Sequence, residues 1–387
     1  MLLFVKIFLI IYICITALVL GVDYWMNFVT KIKRFHIGRW NNDIEWIGAV
    51  KKRSYKWLKY IPTVRKNDNY QYLLLDILRG EYRNATIQSW QTASLIQGVN
   101  QVGDKEGKEL IATWKKNNFT EDGAWKKVVD KVDYAMLAYA LLKAEEDAIT
   151  IKPAMDEVIK VLERNICADG MISYSQGKKS NIRFVDTLGM VCPFLTLYGV
   201  KFNEQKYIEL AYMQLKKFHE FGLLVGSCLP CHAYDVSTKM PLGVYGWGRG
   251  TAWYFLALIN TWKEMPESLE REQIEKWIFE AAEDYLQYQA VDGGFNTILQ
   301  GGGQYDSSVT AAMAFFLHNC WRISKKSEYL NASEKCIQKL KSVTMKNGAI
   351  DVCQGDTHGI GVFSQVFDIM PFAQGLLLQT LAMRAEV

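Results

Sequence analysis

The sequence predicts an all-α protein, an (α/α)6 barrel or six-hairpin toroid with an N-terminal hydrophobic anchor helix, and three observations carry that expectation. Five segments are apolar on nearly every side: residues 133–142 (DYAMLAYALL), 186–199 (DTLGMVCPFLTLYG), 249–262 (RGTAWYFLALINTW), 307–321 (SSVTAAMAFFLHNCW) and 371–383 (PFAQGLLLQTLAM). A helix that is hydrophobic all round is buried all round. Between them lie charge-rich amphipathic segments, 152–165, 203–220, 270–289 and 327–344, which read as outer helices with one face in water. The apolar segments start at 133, 186, 249, 307 and 371, in steps of 53, 63, 58 and 64 residues. A repeat of one buried and one outer helix builds an open solenoid or a closed toroid. Closure is favoured because polar and glycine-rich residues gather just before each buried helix. Parallel inner helices in a ring bring those ends to a single mouth.

The elements follow in order. Residues 7–22 carry no charge, a length between that of a secretory apolar region and a full membrane span. Cleavage after Gly21 would put the β-branched Val19 at the −3 position, a poor site. Residues 1–30 are therefore expected to be an uncleaved membrane anchor, with a signal peptide or a buried helix as the alternatives. Lys6 stands alone before this span, whereas Lys31, Lys33, Arg34, Arg39, Lys51, Lys52 and Arg53 follow it. Positive residues resist translocation, which predicts a single-pass protein with its body in the cytoplasm. Residues 31–69 are expected to be a basic linker and lead-in helix, and 70–387 the catalytic barrel. Its sixth pair would come from residues 87–102 (inner) and 107–117 (outer).

Composition excludes some classes of function. Half of the 387 residues are hydrophobic and 13% are aromatic, enough to fill a large core and still line a pocket. The formal net charge is only +4, and no dense basic stripe lies outside residues 31–39, so nucleic acid is not an expected partner. Most of the eight cysteines sit singly in apolar helical contexts, as Cys192, Cys320 and Cys336 do, which suits reduced core thiols.

Several constellations could carry chemistry. Asp133 and Asp186 each stand at the head of a buried helix, where a lone Asp is ordinarily a cap. Two at matching positions facing one mouth make a catalytic pair equally plausible, and an apolar collar would raise a carboxyl's pKa as a general acid requires. In Tyr245-Gly-Trp247-Gly-Arg249-Gly-Thr-Ala-Trp253 the glycines allow close approach to a ligand, Arg249 offers a fork for a carboxylate, and Trp247 and Trp253 offer stacking faces. This favours an acidic sugar. His232 lies in CLPCHAYD, where Cys228-x-x-Cys231-His232 has the spacing of a haem attachment site; two plain thiols or a reversible disulfide is the simpler account, and no second CxxC completes a zinc site. Ser307, behind Asp306 in QYDSS, and His358, in VCQGDTHGIGVF, are further candidates for the pocket rim. His36, His219 and His318 look like surface or packing residues.

The order of VDTLGMVCPFL, CHAYD, YGWGRGTAW, YDSSVTAAMAFF and VCQGDTHGIGVF, with an Asp at the head of an earlier helix, resembles the unsaturated glucuronyl and rhamnogalacturonyl hydrolases of glycoside hydrolase families 88 and 105. The resemblance runs from about residue 70 to the C-terminus. It implies an (α/α)6 barrel that hydrates the C4=C5 bond of a 4,5-unsaturated uronic acid at the non-reducing end of an acidic oligosaccharide. By motif match, Asp186 corresponds to the proton donor that also steers the water, and Asp133 to a second essential acid. His232 and Arg249 match substrate-binding positions, and Trp247 and Trp253 the stacking surface. No metal or organic cofactor is implied, and the oligomeric state is left open. The apolar leader and the segment FNTILQGGGQYDSS depart from the family pattern and put the substrate, more than the reaction, in question. The rival expectations are a lyase or epimerase on the same barrel, and a catalytically inactive sugar-binding or assembly protein of a surface-polysaccharide pathway.

Overall fold

The computed structural model of the chain describes residues 1–64, 73–82, 86–175, 177 and 180–385. Six helices form the inner layer: α4 (Ser89–Val102), α6 (Tyr134–Lys143), α8 (Val185–Phe202), α10 (Gly248–Glu264), α12 (Ser307–Ser324) and α14 (Pro371–Ala385). Each packs on the next, and α14 packs back on α4, so the ring is closed. The fold is an (α/α)6 barrel. The five apolar segments found in the sequence lie on α6, α8, α10, α12 and α14, and nearly all their residues are buried, because an inner helix meets a neighbour on each side and its outer partner behind.

Small residues let the ring close. On α4 and α14 the backbones approach so tightly that a Cβ on Gly375 would lie 2.2 Å from the Ser94 carbonyl oxygen, and one on Gly98 would lie 2.7 Å from the Gly375 oxygen. The Ser94 hydroxyl donates to the Phe372 carbonyl at 2.7 Å across the same contact.

Outer helices α5 (Lys105–Asn118), α7 (Lys152–Arg164), α9 (Gln205–Phe221), α11 (Leu269–Leu286) and α13 (Ser327–Ser342) back α4, α6, α8, α10 and α12. The sixth outer place is taken by α2 (Asp43–Lys59), which packs on α4, α5 and α14. Asn42 caps it, its side chain accepting from the Glu45 N–H at 2.8 Å. The sequence places this helix in the lead-in segment, 31–69, whereas it packs as barrel wall; the expected boundary at residue 70 lies outside the described residues.

Helix α1 (Leu2–Arg34) is longer than its apolar stretch, and most of its apolar side chains are exposed, Val19 being buried. It meets the barrel side through α3 (Leu73–Leu78), where Asp23 Oδ1 accepts from the Leu73 N–H at 2.9 Å, and through Arg34. The short strands are confined to the segments that lead into inner helices. Strands β1 (Ile182–Phe184), β2 (Cys231–Asp235) and β3 (Pro241–Tyr245) form an antiparallel sheet, and β4 (Cys353–Gln354) pairs with β5 (Phe367–Asp368). Runs of two to five residues are too short to show alternation, so they leave no periodic mark in the sequence.

Candidate active site

Strand β1 delivers the chain directly into α8, so Asp186 sits in that helix's first turn at the mouth. The register Phe184↔Ala233 sets β2 alongside, which brings His232 Nε2 to 3.5 Å from Asp186 Oδ2. The Gly361 N–H donates to His232 Nδ1 at 3.4 Å, which leaves the ring proton on Nε2, facing Asp186. The imidazole is buried, with Trp247, Phe184 and Phe363 at centroid distances of 4.7, 5.9 and 5.9 Å. Behind it Gly243, at φ +79°, leaves no room for a side chain: a Cβ there would lie 2.9 Å from the His232 Cβ.

Asp133 precedes α6 and is the more enclosed acid, 6% exposed, whereas the Asp186 side chain is 17% exposed. Burial pushes the Asp133 carboxyl above the usual range, against the opposing effects of Ser89 and Lys131. Tyr174 ties the two acids to one space. Its hydroxyl is pushed up first by burial and then by the charges of Asp133, Asp186 and Asp356. No motif marked Tyr174 in the sequence; only the fold places it here, its ring 6.0 Å from that of Phe184.

Three polar atoms at this end of the barrel have no hydrogen-bond partner among the described residues: Gln91 Oε1 on α4, Asp133 Oδ1 before α6, and Thr187 Oγ1 on α8. All lie at the first turn of three consecutive inner helices. Buried polar groups are ordinarily paired, so a cluster of orphans at helix N-termini marks a place where a polar ligand can bind.

Profile comparison supplies the identification: the profile of Glycosyl Hydrolase Family 88 matches residues 76–380. The chain belongs to glycosyl hydrolase family 88. By family it is a glycoside hydrolase, and an oligosaccharide is its class of substrate. Among solved structures it is similar to a possible member of glycoside hydrolase family 105 from Klebsiella pneumoniae (17% identity, 88% of this chain and 93% of that one, TM-score 0.73). It also resembles a family 88 glycosyl hydrolase from Bacteroides vulgatus (18%, 81% and 97%, 0.60) and the unsaturated glucuronyl hydrolase of Bacillus sp. GL1, described as responsible for glycosaminoglycan degradation (15%, 88% and 95%, 0.63). At these identities the likeness shows the fold. No curated protein matches in sequence.

Within this family 88 mouth, several side chains are placed differently from the expectation. Trp247 and Trp253 are both buried, so neither offers an open stacking face. The Trp247 ring is covered by His232, by Phe363 and by the Arg249 guanidinium 5.2 Å from its centroid, and its Nε1–H donates to Gln354 Oε1 at 3.1 Å. Trp253 is wedged between Trp90 and Phe372, with centroids 5.5 and 4.9 Å away. Trp247 thus lies against His232, and Trp253 packs against α8 at Gly189. Arg249 is also buried, and its fork is engaged: Nη1 and Nη2 donate to the carbonyls of Gln354 and Gly355 at 2.6 and 2.7 Å, with Asp356 Oδ1 3.9 Å away. It clamps the β4 hairpin instead of presenting itself to a ligand. Ser307 is buried as well, donating to the Asp351 carbonyl at 2.6 Å.

His358 is exposed on the loop that also supplies Gly361 and Asp356. Tyr245 pairs with Cys231 through the backbone, and no hydrogen bond or ring contact joins its side chain to the acids among the described residues. Cys228 and Cys231 are free thiols, each pushed up to about 12 by burial. Among the described residues no group of three or more His, Cys, Asp or Glu is placed to hold a metal ion. A cavity of 1140 Å³ lies between α2 and α5. It reaches Ser89 and Tyr134, which flank Asp133, while Asp186 and His232 do not line it.

Proposed function

We propose that this glycoside hydrolase removes a 4,5-unsaturated uronic acid from the non-reducing end of an acidic oligosaccharide by hydrating the C4=C5 bond. The observation that carries the reading is the pairing of unlike acids at one mouth. Asp186 is partly exposed and faces the His232 Nε2–H, and Asp133 is enclosed, with its carboxyl pushed toward the neutral form.

Hydration of a vinyl ether needs one positioned acid and one water. In the proposed sequence Asp186 gives its proton to C4, and the positive charge that develops at C5 is shared with the ring oxygen. Water adds at C5 and returns a proton to Asp186, so the acid is regenerated. The hemiketal then opens and releases the aglycone sugar. Neutral Asp133 donates a hydrogen bond to the ring hydroxyls, and its orphaned Oδ1 is free to accept one. General acid catalysis by a positioned carboxyl is worth on the order of 10² to 10⁴ in rate.

The test is direct. Purified protein is mixed with unsaturated uronyl disaccharides, and the ultraviolet absorbance of the conjugated double bond is followed. The expected result is a steady loss, reduced on the order of 10² to 10⁴-fold in Asp186→Asn. No loss with galacturonyl-rhamnose and glucuronyl-hexosamine substrates alike would overturn the reading in favour of a binding protein.

The long apolar helix is proposed to tether the enzyme to a membrane, with the body on the cytoplasmic side because of the basic residues that follow the apolar stretch. Protease added outside sealed, right-side-out vesicles should leave the body intact. Digestion of the body there would reverse the orientation.

A further inference from the structure

We propose that the groove between α2 and α5 is a second binding element, a track for the aglycone chain of the substrate, and that this chain is an oligosaccharide carrying a carboxylate or sulfate on each repeat. The inference rests on the hydrolase reading above and extends it from one sugar ring to the polymer behind it.

The groove has the size for this. Its 1140 Å³ is somewhat above the range of ordinary small-molecule sites, about 300 to 1,000 Å³, and it is an open cleft, the shape a chain requires. One wall is basic. Lys51, Lys52, Lys56 and Lys59 project from α2 within an arc of about 140° at helical spacing, and Lys127 faces the groove from the segment before α6. Lys51 is held by Asp104 at 2.5 Å, but the other four have no ion-pair partner among the described residues. Against these cations the lining supplies two acids, Glu106 and Glu109. A cleft lined by mostly one sign of charge concentrates ligands of the opposite sign.

The other wall is aromatic. Trp125 packs edge-on against Trp114, at 6.4 Å, and against Tyr134, at 5.7 Å, and all three rings line the groove. Aromatic faces beside cations suit a sugar chain that carries anions, since the rings cover its C–H faces and the lysines meet its charges. The groove also ends in the right place. Its inner limit is formed by Ser89 and by Tyr134, the residue after Asp133. A chain whose terminal ring sits between Asp133 and Asp186 can therefore continue into it.

The experiment compares the full-length protein with the triple variant Lys52→Glu/Lys56→Glu/Lys59→Glu on unsaturated-uronate-terminated oligosaccharides of two, four and six sugars, each repeat carrying a carboxylate. In the unaltered protein kcat/KM should rise with chain length by about tenfold, mostly through KM, and the gain should shrink in high salt. The variant should lose the length dependence and still turn over the disaccharide, which does not reach the lysines. An equal length dependence in both proteins, or none in the unaltered one, overturns the groove. Direct binding of a saturated, uncleavable anionic hexasaccharide separates the two readings. Binding that the variant loses, with no hydrolysis of any substrate, keeps the groove and sinks the hydrolase; hydrolysis without such binding does the reverse.

Discussion

Replacing Arg34 by Ala should damage a site that it does not touch. Arg34 ends α1, yet its guanidinium reaches the far end of the chain: Nε and Nη2 donate to the two carboxylate oxygens of Asp351 at 2.5 and 2.8 Å, and Nη2 also donates to the Phe367 carbonyl at 2.9 Å. The Asp351 side chain is 0% exposed, and Arg34 is 40% exposed. Without Arg34 the buried carboxylate keeps its bond from the Val352 N–H and has no cation paired with it among the described residues. Breaking a buried pair from one side costs about 3–5 kcal/mol, and the exposure of Arg34 reduces this to about 2–3 kcal/mol. At about 2.1 cal/mol/K per residue, a barrel of this size moves its midpoint by roughly 1.4 °C per kcal/mol, so the expected fall in Tm is about 3–4 °C.

Activity should fall further than stability. Val352 sits at φ +61°, a strained conformation for a β-branched residue, and is held there by Asp351 on one side and by the Ser307 N–H on its carbonyl at 2.9 Å on the other. The next residues are those that Arg249 and Trp247 grip. Released from Arg34, this hairpin should relax and loosen the floor beneath His232. The assay is thermal melting together with kcat/KM for Arg34→Ala, Asp351→Asn and the double variant. The double variant should melt above the Arg34→Ala protein, because it no longer buries an unpaired charge. An Arg34→Ala protein melting within about 1 °C of the unaltered one would refute the reasoning.

Three further outcomes are expected. Because burial raises the Asp133 pKa, the folded protein holds a proton that the unfolded chain has released, so stability falls as pH rises from the ordinary carboxylate range through the raised value. Asp133→Asn should lose activity and also this slope, so its Tm should gain on the unaltered protein toward alkaline pH; parallel melting curves across pH would contradict this. Gly375→Ala should destabilise the barrel by about 1–3 kcal/mol or more, since its Cβ meets the Ser94 backbone where the ring closes, and unchanged denaturant unfolding would show that α4 and α14 are less tightly apposed. Gly243→Ala should displace His232 and lower kcat/KM by about 10- to 100-fold with little change in KM; full activity would mean that the imidazole position is not critical.

The barrel was legible because burial on all sides leaves a local mark. The apolar segments starting at 133, 186, 249, 307 and 371 begin within one residue of helices α6, α8, α10, α12 and α14. The outer helix α2 was not recognised as barrel wall because its basic, amphipathic sequence suits a linker helix equally well. Asp133 and Asp186 were legible as candidates at inner-helix heads, and His232 as a member of the CHAYD segment, which the fold makes strand β2. What Arg249, Trp247 and Ser307 do was not, because it depends on a hairpin a hundred residues on for the first two, and on Asp351 for the third. A Trp beside glycines reads as an open platform until Phe363 folds over it.

Three aspartates head inner helices, and the sequence alone does not rank them. Burial does not rank them either, since it pushes Asp133 and Asp306 in the same direction. Hydrogen bonding does. Asp306 gives both oxygens to the fold: Oδ1 accepts from the N–H groups of Ser308 and Gln354 at 2.8 and 3.0 Å, and Oδ2 accepts from the Ser308 hydroxyl at 2.8 Å. That is a capping residue, and its oxygens are committed before any ligand arrives. Asp133 stands at the same helical position without a cap bond and leaves Oδ1 unpaired, and Asp186, in the first turn of α8, makes no cap bond either. An acid that does chemistry at a helix head has to forgo the capping bonds open to it there, and of the three only Asp133 and Asp186 do.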